Sequence, residues 1–207
     1  MPSNFPAFFA DAPRITLHDP LAEFLGSATD GRIEYGYADA VRLAGHSCPT
    51  VAGAWLMTVH GLRALYKDAT PVRGDIAARL REPRDSGTTG VVASVVQLIT
   101  GAAAETGFHG IGPNRRFSRH QLLQFAAQDQ TATLSLTRRD SGQSVHLDLD
   151  PSCVPWPAEM QSLMPRAVSG QATPAERARF ADLWQERVRQ MLIEHADDPR
   201  LVHVTTA

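Results

Sequence analysis

The stretch that decides the fold is GHSCPTVAGAWLMTVHGLRALYK, residues 45–67. From Pro49 onward it reads as a long helix. Ala52, Trp55, Leu56, Val59, Leu62 and Tyr66 recur at helical spacing and form one apolar face. Gly53, Met57 and Gly61 recur every four residues on the other side, small enough for a second backbone to approach. A helix apolar on two sides is either central in its own domain or part of a dimer interface. Pro49 suits the first helical position, where the N–H it lacks would have no partner. Directly before it stand an imidazole, His46, and a thiol, Cys48, two residues apart.

Working outward, Asp19-Pro20 starts a short helix through Leu25, and Tyr35–Leu43 has helical spacing. Residues 1–20, rich in proline and aromatics, read as an arm over the domain or over a second protomer. Beyond the long helix, Pro71–Asp75 breaks the pattern and Ile76–Arg81 reads as a strand. Gly90–Thr100 is almost wholly apolar and predicts a second buried helix, bounded by Gly87 and Gly101. Strands are predicted at Phe117–Phe125, Thr131–Arg138 and Ser144–Asp150, the last two joined by an Asp140-Ser141-Gly142 turn. Pro151–Pro165 reads as irregular. Thr173, Pro174 and Glu176 form a capping box for a final helix, residues 174–195, and Val202–Ala207 reads as a tail. This order predicts an α+β fold, a mixed or antiparallel sheet with helices on one face. It divides into an N-terminal arm (1–36), a central domain (37–150) and a C-terminal extension (151–207).

Composition narrows the function. Twenty basic against 22 acidic residues leave a net charge of −2, so no general basic field favours nucleic acid or an anionic membrane surface. Residues 1–12 carry no basic segment and no long apolar run, which predicts neither a signal peptide nor a membrane span. The expected compartment is the cytoplasm. Two cysteines, Cys48 and Cys153, are too few for a disulfide framework.

His46 and Cys48 are the leading candidates for chemistry. A helix N-terminus carries partial positive charge and unpaired N–H groups, which favour the thiolate that metals bind. Nitrogen and sulfur donors together suit zinc, nickel or iron. The structural alternative is a buried cysteine capping the helix and a histidine satisfying a backbone carbonyl. His109, in the glycine-rich Gly107–Gly112 loop, is the next candidate ligand; its alternative is a solvent-facing loop residue. Cys153 reads as a ligand, a redox partner of Cys48 or an inert buried thiol. Asp85 reads as a ligand, a general base or a charge near a helix start. His60, mid-helix, reads as a core histidine with a satisfied ring. The Gly107–Gly112 loop lacks the spacing of a nucleotide fingerprint, and neither a serine elbow nor a CxxCH haem attachment is present.

Gly45-His46-Ser47-Cys48-Pro49, followed by Thr50-Val51-Ala52-Gly53-Ala54, resembles the signature of the FmdE family of formylmethanofuran dehydrogenase components. Leu98-Ile99-Thr100-Gly101 adds to that resemblance, which covers Tyr37 to Asp150. The resemblance implies an α+β fold related to the catalytic domain of glyceraldehyde-3-phosphate dehydrogenase, a homodimer, a metal held through His46 and Cys48, and association with a redox-enzyme complex. Three features depart from the family. Ala44 stands where a further histidine is common, residues 86–94 contain no cysteine, and no C-terminal zinc finger follows. The resulting expectation is a metal-binding accessory, redox or metal-handling protein using His46, Cys48 and His109, with zinc the first choice. The alternatives are a haem protein with Cys48 or His46 as axial ligand and Trp55, Met57 and Phe108 as walls, or a cofactor-free dimerisation module. Whether the protein is an enzyme is left open.

Overall fold

The computed structural model describes residues 4–127 and 129–206. In chain order its elements are β1 (Ile15–His18), α1 (Pro20–Phe24), β2 (Arg32–Tyr35), α2 (Tyr37–Ala44), α3 (Pro49–Tyr66), β3 (Ile76–Leu80), α4 (Thr89–Thr100), β4 (Leu123–Gln124), β5 (Leu134–Arg138), β6 (Ser144–Leu149), α5 (Met160–Val168), α6 (Pro174–Arg189) and β7 (Val202–Thr206). The fold is α+β. One sheet is the antiparallel pair β1–β2, and the other has five strands in the order β4-β3-β5-β6-β7. Every pairing in the larger sheet is antiparallel except β3 with β4.

The long helix is central. Thirteen of the 18 residues of α3 are buried, which accounts for its lack of a polar face. It packs on β5, β6 and β7 on one side and against α2 and α4 on others. Its small-residue side meets this sheet. A Cβ at Gly61 would lie 2.7 Å from Leu136 Cδ1 and 2.8 Å from Leu147 Cδ1, and one at Gly53 would lie 2.2 Å from Leu149 Cδ2. The glycines are therefore used inside the protomer, to bring helix and sheet together, and leave no small-residue face free for a second copy.

The β-branched run Val91–Val96 is helical because its ends are secured. Gly101 closes α4 in the left-handed conformation at φ 73°, which glycine adopts without strain. Arg73 donates to the terminal carbonyls of Leu98 and Ile99, both at 3.1 Å. Asp19 starts α1 by accepting from the N–H groups of Leu21 and Ala22, as Asp19-Pro20 predicted. Thr173 and Glu176 form the expected reciprocal cap of α6. That helix continues through a π-type turn, Gln190–Glu194.

The segment 1–20 lies over its own domain, one of the two expected placements, and contains strand β1: Phe9 packs edge-on against Tyr37, and the Trp55 indole donates to Pro13 O at 2.9 Å. Residues 1–3 of the predicted arm lie outside the described residues. Three other expectations need correction. Phe117–Phe125 shortens to the two residues of β4, because Phe117 and Gln121 take positive φ values that no strand permits. Pro151–Pro165 is not wholly irregular, since α5 begins at Met160. Val202–Thr206 is no tail: it pairs with β6 from Val145↔Thr206 to Leu149↔Val202 and closes the sheet. Ala207 lies outside the described residues. No helix among the described residues is long and apolar enough to cross a membrane.

Candidate functional site

The link between α2 and α3 brings His46 and Cys48 to the start of the central helix. Gly45 ends α2 at φ 75°, and Cys48 occupies the N-cap position of α3 in an extended conformation. The Cys48 thiol makes no capping bond, and the side chain packs as a member of the hydrophobic core. Cys48 is buried against the core, whereas His46 is exposed. His46 Nδ1 lies 3.0 Å from Ala44 O. A carbonyl only accepts, so Nδ1 donates, and Nε2 of the neutral ring keeps its lone pair. This bond is the one the structural alternative predicts for His46, and it is also how metal-bound histidines fix their tautomer.

Ser47, between the two candidate donors, is held from three directions. Its hydroxyl lies 2.9 Å from the Tyr37 hydroxyl, and its carbonyl accepts from Trp184 Nε1 and Gln185 Nε2, both at 3.1 Å. Burial pushes the Tyr37 phenol well above its ordinary pKa, so it stays a neutral hydrogen-bonding group. The C-terminal helix α6 thus fixes the backbone of a segment that precedes it by 137 residues. Beside the first turn of α3 a cleft of about 250 Å³ opens, with Pro49, Thr50, Met57 and Leu149 on its walls.

The remaining predicted residues lie apart in role. His109 is exposed and stacks on His120 with ring centroids 4.2 Å apart. Asp85 is exposed in the turn before α4. Cys153 donates to Asp150 O at 3.4 Å, and burial followed by the Asp198 charge raises its pKa, which disfavours the thiolate. His60 bonds to Ala196 O at 2.6 Å, as expected of a satisfied core histidine. Trp55 is fully enclosed in the core rather than walling an open pocket. Among the described residues, no three His, Cys, Asp or Glu side chains gather as a metal-binding group. His46 and Cys48 are two donors, and a complete shell needs others.

One buried polar cluster has no counterpart in the sequence reading. Asp19, 3% exposed, receives Arg73 Nη1 at 2.9 Å and Arg119 Nη2 at 2.7 Å. Burial alone would raise the Asp19 pKa, but the Arg73 hydrogen bond and the Arg119 charge outweigh it and hold the carboxyl below its ordinary value. The two arginines are 54 and 100 positions from Asp19 in the chain. The one local signal was the Asp19-Pro20 cap.

No protein-family profile matches the chain, and no curated protein matches it. Among solved structures, it is similar to an FmdE-like protein of the tungsten formylmethanofuran dehydrogenase type from Syntrophus aciditrophicus. The identity is 17% and the TM-score 0.41, over 84% of this chain and 72% of that one. At that distance the likeness assigns no role to any residue.

Proposed function

We propose that this α+β protein is a metal-binding protein of the kind its Gly-His-x-Cys-Pro segment resembles, with His46 and Cys48 as the protein's donors. The observation that carries this reading is the Nδ1 bond of His46 to Ala44 O, which leaves Nε2 free two positions before a thiol that makes no capping bond. The donor set of one nitrogen and one sulfur fits zinc first, with nickel and iron as further choices. One protomer contributes two ligands, so water, a small ligand or a second copy completes the shell. His109, which stacks on His120, is the next candidate donor. When bound, the metal would supply a Lewis acid or a transferable cation. The chain's own part is to hold the two donors in place through Ser47, whose backbone Trp184 and Gln185 fix.

The test is zinc titration against a chromogenic chelator, with elemental analysis of untagged protein and its oligomeric mass. Binding of about one metal per chain or per two chains, lost in His46→Ala and in Cys48→Ala and kept in Cys153→Ala, supports the reading. Absence of binding in the parent, or equal loss in Cys153→Ala, overturns it. A metal-to-chain ratio of one to two with a dimeric mass would place the missing donors on a second copy.

A further inference from the structure

A cavity of about 350 Å³ adjoins the Asp19 cluster, lined by residues 72–75 and by residues of the 115–119 loop. Arg73, Arg115, Arg119 and Arg139 line it, with Asp75 as the sole carboxylate among the lining residues. Asp19 pairs with Arg73 and Arg119 from beneath. Four guanidiniums against two carboxylates leave an excess of two positive charges on a chain whose net charge is −2.

The deepest of these cations is incompletely satisfied. The Arg119 side chain is 8% exposed, and its Nη1 is buried without a hydrogen-bond partner. Gly74 permits this placement: a Cβ there would lie 1.6 Å from Nη1. Burial weakens the charged form of Arg119 despite the Asp19 partner. An unpaired buried donor is destabilising, and such groups are few in folded proteins. The exposed Arg115 side chain has no hydrogen bond or ion pair among the described residues, and Arg139 makes only long contacts, to Gly74 O at 3.4 Å and to Asp75 at 3.8 Å. The rim loop is held by the mutual bonds of Ile111 and Arg116, at 2.8 and 3.0 Å.

We propose that this cavity binds the phosphate group of a small phosphorylated molecule. Guanidinium forks match phosphate oxygens in pairs. The excess of two charges matches a phosphate monoester dianion better than a monocarboxylate. The volume falls at the small end of ligand pockets, which run from about 300 to 1,000 Å³. The site is separate from His46 and Cys48, and its occupancy does not depend on a metal.

Inorganic phosphate is the probe, with acetate and chloride at matched ionic strength. At ten times its Kd, phosphate should raise the parent's Tm by about 4 °C relative to chloride. Arg115→Gln/Arg139→Gln removes two exposed lining cations and leaves the buried cluster intact. It should abolish the shift, whereas Arg32→Gln/Arg63→Gln, with the same charge loss elsewhere, should keep it. A phosphate shift of equal size in both double variants would be a general salt effect and would overturn the proposal. So would an equal response to acetate, or no response in the parent.

Discussion

Replacing Asp19 by alanine should destabilise the protein more than any other single truncation of a polar side chain. Asp19 accepts two backbone bonds at the start of α1 and holds Arg73 and Arg119, whose side chains are 21% and 8% exposed. Loss of a helix cap costs about 1 kcal/mol. Removing one partner of a buried ion pair, which strands its cations, costs about 3–5 kcal/mol. The sum, about 4–6 kcal/mol, is a large part of a typical domain's stability of about 5–15 kcal/mol. With a urea m-value of about 2 kcal/mol/M, the midpoint should fall by about 2–3 M. Tryptophan fluorescence in urea measures it. Asp19→Asn keeps an acceptor but no charge and should lose about 3 kcal/mol. The pH dependence carries the sign. The folded carboxyl titrates below its unfolded value of about 3.9, so its contribution is present above that pH and is lost as pH falls through the folded value. The gap between parent and Asp19→Asn should therefore be constant near neutrality and narrow below about pH 4. A loss under about 1.5 kcal/mol in Asp19→Ala, against the cost expected for a buried pair, would show that the two arginines are solvated and refute the cluster.

Two further predictions concern α3 and the sheet. Gly61→Ala should lower Tm by about 2–4 °C, since about 2 kcal/mol of crowding against the fully buried Leu136 and Leu147 exceeds about 1 kcal/mol of helix propensity. Gly53→Ala should stay within about 0.5 kcal/mol, because the half-buried Leu149 side chain has room to move; thermal melts separate the two, and equal losses would contradict the packing. Removing residues 202–207 should expose the β6 edge, lower Tm and promote self-association by light scattering; a monomer of unchanged Tm would contradict β7 as a sheet strand.

Elements defined by local period were legible. The boundaries of α3 and α4, the hairpin of β5 and β6, and the capping box of α6 all rest on residues within a few positions of one another. Elements defined by distant partners were not. Val202–Thr206 has ordinary strand composition, but what makes it a strand is the open edge of β6, more than 50 residues earlier. Strands β1 and β2 are four residues each, too short for alternation to stand out from a loop. The glycine spacing of α3 was visible, but its partner was not: the same pattern suits a second copy or the protein's own sheet, and only Leu136, Leu147 and Leu149 decide between them.

The two sites divide along the same line. His46 and Cys48 are neighbours in sequence, and their residue types suggested the proposed metal reading without any knowledge of the fold. What the sequence could not show is how the segment is held, because the groups that fix Ser47 come from Tyr37 on one side and from Trp184 and Gln185 on the other. In the proposed reading, a protomer that offers two donors would depend on this preorganisation, since few ligands leave little binding energy to order the loop. The arginine cavity is the converse. Arg73, Arg115, Arg119 and Arg139 look like scattered surface charge in a chain of near-neutral balance. Only the fold places them around one space and Asp19 beneath it. There the charge excess becomes local, and it is the local excess that the proposed anion would sense.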